Sequence, residues 1–348
     1  MCNFDLNSLV RENVKLLKPY SSARDEFKGN KNDMIFLDAN ENPFENGVNR
    51  YPDPQQKDLK SVLAKRRGVL VENILLGNGS DEILDLIYRA FCEPAKDNVI
   101  TLPPTYGMYK VLAETNNINN REVLLTKDFQ PDVPKILKAA DQDTKLLFFC
   151  SPNNPTGNSF DKYKIESILN DFSGLVVIDE AYIDFSNQES WLSKLDRYPN
   201  LIISQTLSKA YGLAGIRLGI CYASKDIISI LNKIKPPYNV NELTQKKALK
   251  RILQPDIIKN EISAILAEKK KLINALLKAK FVSNVYPSDA NFIMIEVDNA
   301  NKRCNELITK GFVIRNRSTQ PLCSNCLRIT IGTPEENNKL IATLKEII

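Results

Sequence analysis

The sequence predicts an α/β protein with a mostly parallel central sheet between helix layers, followed by a smaller α+β unit. Two observations carry that expectation. Between about Asn73 and Ala223, short apolar runs alternate with longer mixed segments, and several runs are apolar on both faces. Strands covered by helices on each side have that character. After about Pro236-Pro237 the alternation stops and a long amphipathic stretch begins, which argues for a second unit of different architecture.

The strand-like runs are Ile74–Leu76, Val99–Leu102, Glu122–Leu125, Leu146–Cys150, Leu175–Ile178, Leu201–Ser204 and Leu218–Tyr222. Asp81–Cys92 reads as a helix, because Ile83, Leu84, Ile87 and Phe91 share one face. Past the change, Glu261–Lys280 reads as a long helix with Ile262, Ile265, Leu266, Ile273, Leu276 and Leu277 on its apolar stripe. Strand-like Asn291–Val297, helical Arg303–Lys310, strand-like Phe312–Arg315 and Leu327–Ile331, and a closing helix from Pro334 complete the second unit.

At 348 residues, 43% hydrophobic and 26% charged, the chain has the balance of a soluble globular protein and ample length for two domains. Its net charge of +5 is mild. Lys269-Lys270-Lys271 fits the wet face of a helix better than a nucleic-acid patch. No secretory signal and no membrane-spanning apolar run is read, so a cytoplasmic location is expected, with neither membrane nor nucleic acid as partner. Seven scattered cysteines favour reduced thiols. Cys323-Ser324-Asn325-Cys326 is a lone CxxC, short of two ligands for zinc, so no metal is expected. Histidine is absent altogether. That excludes imidazole acid–base catalysis and every triad that needs it, and moves lysine up the order of candidate proton carriers.

Lys209 stands in Thr206-Leu207-Ser208-Lys209-Ala210-Tyr211, directly after an apolar run, and Arg217 follows eight residues later. Such a lysine suits a Schiff base with an aldehyde cofactor, the arginine holding its phosphate; a solvated surface lysine would read the same locally. Gly77-Asn78-Gly79-Ser80-Asp81 joins a strand to a helix start, which either cradles an anion or simply caps the helix. Ser151-Pro152-Asn153-Asn154-Pro155-Thr156-Gly157 is a rigid loop at a strand's C-terminal end, where open α/β sheets place ligands, or an ordinary turn. Val176-Val177-Ile178-Asp179-Glu180-Ala181-Tyr182 ends an apolar strand on a carboxylate. Buried, that group needs a cationic partner; otherwise it caps the next turn.

The ordered set of phosphate turn, Asn loop, Asp-x-x-Tyr, Lys and Arg resembles the fold-type I pyridoxal-phosphate aminotransferases. Within them the chain is similar to the histidinol-phosphate aminotransferases, from Arg11 almost to the C-terminus. The closer likeness rests on Leu37-Asp38-Ala39-Asn40-Glu41-Asn42-Pro43, Arg50-Tyr51-Pro52-Asp53, Pro103-Pro104-Thr105-Tyr106-Gly107-Met108-Tyr109 and Leu327-Arg328-Ile329-Thr330-Ile331-Gly332. It implies an N-terminal arm, residues 1–31, joining the small domain, a large pyridoxal-phosphate-binding domain at 32–240, and a small α+β domain at 241–348.

The resemblance also implies roles. Lys209 would bond the cofactor, pyridoxal 5'-phosphate, and then move the substrate proton. Asp179 would pair with the pyridinium nitrogen. Tyr182 and Asn154 would hydrogen-bond the ring's 3-oxygen, and Tyr106 would stack on the ring. Arg217, Thr206, Ser208 and the turn Gly79-Ser80-Asp81 would hold the phosphate, joined by Tyr51 from the neighbouring subunit of a homodimer. Tyr20, Asn40, Arg315 and Arg328 would meet the substrate, with Glu41 as an alternative to Asn40 and Arg315 alternatively an interface ion pair. Arg317 lies two residues from Arg315 and competes for its assignment. The implied reaction exchanges the amino group between L-histidinol phosphate and 2-oxoglutarate. Rivals on the same scaffold are an aromatic amino-acid aminotransferase and a phosphothreonine-type decarboxylase. A cofactor-binding transcription regulator would need a DNA-binding module, and with aminotransferase-like motifs beginning by Arg11 none is expected ahead of them.

Overall fold

The computed structural model describes residues 4–21, 26 and 34–347. Its larger sheet has seven strands: β1 (Ile74–Gly77), β2 (Asn98–Thr101), β3 (Asn119–Glu122), β4 (Thr144–Cys150), β5 (Leu175–Asp179), β6 (Leu201–Thr206) and β7 (Gly219–Ala223). They lie in the order β1-β7-β6-β5-β4-β2-β3. β7 runs antiparallel to both its neighbours, and the other pairings are parallel.

Every residue of β1, β2, β5, β6 and β7 is buried. The two-residue period of a strand divides their side chains between two cores. Val176, Ile178, Leu201 and Ile203 face one; Leu175, Val177 and Ile202 face the other. The helix expected at Asp81–Cys92 forms as Ser80–Phe91, its apolar face packed into the second core. The first core continues past the sheet to Ala290, Phe292 and Met294 of the smaller unit, so the two units share packed surface.

β3 departs from the expected run at Glu122–Leu125. The ladder uses Asn119–Glu122, and the apolar Val123 and Leu125 enter the core after the strand has ended. β3 is an edge strand, and polar residues there keep the open edge from pairing with another chain.

The smaller sheet holds β8 (Val282–Val285), β9 (Phe292–Val297), β10 (Arg315–Asn316) and β11 (Cys326–Thr330), in the antiparallel order β10-β11-β9-β8. β10 is shorter than the expected Phe312–Arg315 and shifted: Phe312 and Ile314 pack into the small core ahead of the pairing. The long helix spans Pro255–Leu276, beginning before the expected Glu261 with proline in its first turn, where a missing N–H costs nothing.

The N-terminal stretch, expected to join the small domain, instead packs on the larger unit. Leu9, Val10 and Val14 enter the core shared with the helices at Ser80–Phe91 and Lys225–Ile234. The Arg11 amide donates to the Ala90 carbonyl at 3.1 Å, and Lys233 Nζ donates to the Lys15 carbonyl at 2.9 Å. Residues 1–3, 22–25 and 27–31 of the expected arm lie outside the described residues. Among the described residues, no helix is long and apolar enough to cross a membrane.

Candidate active site

The sheet delivers its chemistry at one edge. The C-terminal ends of β5 and β6, the turn after β1 and the loop after β4 surround a cleft of about 150 Å³ lined by Ser80, Asp81, Tyr106, Asn154, Asp179 and Lys209, with Tyr182, Thr206, Ser208 and Arg217. Carboxyl ends of parallel strands are where open α/β sheets leave room for ligands.

Lys209 follows β6 on a turn closed by the Gly212 amide donating to the Lys209 carbonyl at 3.0 Å. Its side chain reaches solvent in the open cleft, with Nζ 5.6 Å from the centre of the Tyr182 ring. The surrounding protein mass first, and the charges of Arg328 and Arg217, push its ammonium pKa down; Asp179 opposes them. The net effect enlarges the neutral amine fraction that a nucleophile or base needs.

Asp179 closes β5 and is 4% exposed. Tyr109 Oη donates to its Oδ2 at 2.9 Å and the Ala181 amide to its Oδ1 at 3.1 Å. Burial nevertheless lifts its carboxyl to about 6, against the lowering effect of those two donors. Among the described residues it forms no ion pair. A buried carboxylate in this state gains from a cation placed beside it, and a protonated ring nitrogen is such a cation.

The anion end is built from backbone. Gly79, at φ +83°, ends the turn after β1, and the helix that starts at Ser80 has no side-chain cap on its first-turn N–H groups. A side chain at Gly79 would meet the Arg217 guanidinium at 2.5 Å; one at Gly219 would meet the Ser80 amide at 2.4 Å. Both glycines therefore let backbone and guanidinium close around the same point. Arg217 itself adopts a left-handed φ of 54°, a cost of the kind found where function fixes a side chain. Its Nη2 lies 3.6 Å from Asp81 Oδ2, a loose pair that leaves donors for an anion. Thr206 Oγ1 donates to Ser208 Oγ at 3.0 Å, setting both hydroxyls at the cleft. Tyr106 is held by its Oη donating to Asp81 at 3.0 Å, its ring edge-on to Tyr109.

Asn154 Oδ1 accepts from Arg328 Nη1, which leaves the amide nitrogen as the donor toward the cleft. Tyr182 and Arg328 both pack on Phe292. Arg315 stands directly across the β10–β11 pair from Arg328. The donors and the buried carboxylate fit pyridoxal phosphate: an anion cradle, a base for the ring nitrogen, and Lys209 in the same cleft.

Among the expected site residues that do not line this cleft within the chain are Tyr20, Asn40, Tyr51 and Arg315. Tyr51 stacks on Tyr238 at 4.5 Å and, with Asn40, lines a separate cavity. The segment that carries them lies on the surface, Glu41 pairing with Arg50 at 2.8 Å. Tyr20 is 73% exposed. Sequence reasoning also missed Tyr109, which touches Asp179; the thiol of Cys150, a core residue, borders the cleft. Tyr109 lies in the first turn of the helix Met108–Thr115, and no local sequence signal points to its partner 70 residues on.

The model of the family described as aminotransferase class I and II matches residues 32–344. A histidinol-phosphate aminotransferase of Flavobacterium johnsoniae is 66% identical over 346 residues, covering 99% of each chain. Among solved structures, the histidinol-phosphate aminotransferase from Clostridium acetobutylicum superposes with a TM-score of 0.80 at 24% identity, over 86% of this chain and 91% of that one. The Sinorhizobium meliloti enzyme, solved in complex with pyridoxal-5'-phosphate, gives a TM-score of 0.78 at 23% identity, over 86% and 84%.

Proposed function

The chain belongs to the class I and II aminotransferases, and from that premise we propose its reaction in full. It is a pyridoxal-phosphate-dependent transaminase that exchanges the amino group between L-histidinol phosphate and 2-oxoglutarate, giving imidazole acetol phosphate and L-glutamate in histidine biosynthesis. The observation that carries this reading is the convergence of Lys209, the unpaired buried Asp179 and the Gly79–Arg217 cradle on one cleft. Identity of 66% over nearly the whole chain to a histidinol-phosphate aminotransferase supports the substrate. Rival substrates have no comparable support.

Bound pyridoxal phosphate supplies an electron sink that stores the amino group between the two half-reactions. The chain's own residues do the rest. Arg217, the Ser80 and Asp81 amides, Thr206 and Ser208 hold the phosphate. Asp179 keeps the ring nitrogen protonated, and Tyr109 holds Asp179. Asn154 and Tyr182 donate to the ring's 3-oxygen, while Tyr106 covers the ring face. Lys209 Nζ would serve as the base that takes the proton from the substrate's amine-bearing carbon and as the acid that gives it back. No histidine exists to share that task. Arg328 and Arg315 receive the substrate's anionic group.

We further propose a cytoplasmic homodimer whose domains meet near residue 240, with Tyr51 reaching the phosphate of the neighbouring copy and Asn40 beside it. Large apolar side chains exposed at Ile35, Leu37 and Phe44 support a covered surface there. Borohydride reduction of the cofactor-loaded protein, followed by peptide mass analysis, tests the central assignment. The cofactor's mass must appear on the peptide carrying Lys209; its appearance on another lysine would refute the site.

A further inference from the structure

Three arginines share one face of the small sheet. Arg315 and Arg328 are direct cross-strand partners. The Arg317 amide donates to the Cys326 carbonyl at 2.8 Å, which continues the same ladder two residues on. The strand period then puts the side chains of Arg315, Arg317 and Arg328 on the same side. Like charges set opposite one another cost stability. Among the described residues none of the three forms an ion pair; Arg328 bonds only the neutral Asn154. The buried Nε atoms of Arg317 and Arg328 have no hydrogen-bond partner there either. Burial, then Arg328 and Arg315, depress the Arg317 guanidinium to about 10, and Arg317 lies within electrostatic reach of Tyr182 at the cleft.

A carboxylate carries one charge and is satisfied by one forked guanidinium. A phosphate monoester carries nearly two charges and three acceptor oxygens. Two arginines serve either anion; a third matters only for the doubly charged one. We propose that Arg317 is the specificity-determining residue of this transaminase, the third guanidinium that reads the substrate phosphate and favours it over the carboxylate of the second substrate. The proposal rests on the histidinol-phosphate reading above and assigns a further residue to it.

Arg317→Gln and Arg317→Lys are compared with the wild-type holoenzyme. For histidinol phosphate, Arg317→Gln raises KM about 10- to 100-fold with kcat nearly unchanged, the loss of one charged hydrogen-bonding partner. KM for glutamate stays within about threefold, and Arg317→Lys recovers part of the loss because charge is retained. Calorimetric titration of holoenzyme with inorganic phosphate shows the same ranking. Equal losses on glutamate and histidinol phosphate, or no loss on histidinol phosphate, would overturn the proposal. If Arg317→Gln does not fold, Arg317→Lys alone decides: a loss confined to histidinol phosphate supports the proposal, and equal losses overturn it. If the wild type converts no histidinol phosphate, the functional reading fails, while the phosphate titration still decides whether Arg317 binds phosphate.

Discussion

Asp179 holds its carboxyl at about 6 in the folded chain, above its ordinary 3.8. Between those values the folded state binds more protons than the unfolded one, so stability is full below the lower value and falls as pH rises through the upper. At neutral pH the cost to the cofactor-free protein is on the order of 3 kcal/mol. Asp179→Asn is therefore expected to raise the melting temperature of the apoprotein at pH 7 to 8, yet, on the proposed role of Asp179 at the ring nitrogen, to lower kcat by roughly 100-fold or more. Apoprotein melting and steady-state rates check both signs. Tyr109→Phe removes a donor that favours the ionised carboxylate, so the acid limb of the kcat/KM profile moves to higher pH. Asp179 was legible in the sequence because it ends a continuous apolar run. Tyr109 was not, since its bond spans 70 residues of chain and helical spacing alone assigns no partner. Arg317 was visible only as a neighbour of Arg315; the β10–β11 register is what sets both on one face with Arg328.

The turn after β1 and the start of β7 are two elements that touch backbone to backbone. A methyl group at Gly219 would lie 2.4 Å from the Ser80 amide and 2.5 Å from the Gly79 carbonyl carbon, and neither atom can swing aside as a side-chain end would. Gly219→Ala is expected to lower the melting temperature and weaken cofactor affinity by roughly tenfold or more, a strained close approach of the kind that costs 1 to 3 kcal/mol. Equilibrium titration with pyridoxal phosphate measures the second effect. Strands covered on both faces, such as β4, β5 and β6, were legible because burial makes them continuously apolar. β3 and β8 were not: β3 is an edge strand of polar residues, and β8 is a short strand with Ser283 and Asn284 exposed at its centre. The apolar Val123 and Leu125 drew the β3 reading downstream because burial after a strand looks like burial within it.

At the scale of the whole molecule, the N-terminal stretch could not be placed from sequence, because Leu9, Val10 and Val14 suit any apolar surface. The packing on the Ser80–Phe91 and Lys225–Ile234 helices decides it. The proposed dimer makes a prediction that no single-chain account shares. Lys209→Ala and Tyr51→Ala homodimers are each strongly impaired, but after unfolding and refolding together they regain roughly a quarter of wild-type activity, since mixed dimers hold one intact site. Activity equal only to the sum of the separate variants would remove Tyr51 from the neighbour's site. The central claim, a transaminase acting on histidinol phosphate, is met most directly by a single half-reaction. Purified holoenzyme is mixed with histidinol phosphate in the absence of an amino acceptor, and the cofactor's absorbance is followed. Stoichiometric conversion to the aminated cofactor is expected, reversed by 2-oxoglutarate and faster than conversion by phenylalanine or tyrosine. An unchanged spectrum with histidinol phosphate, or a faster change with the aromatic amino acids, would contradict it.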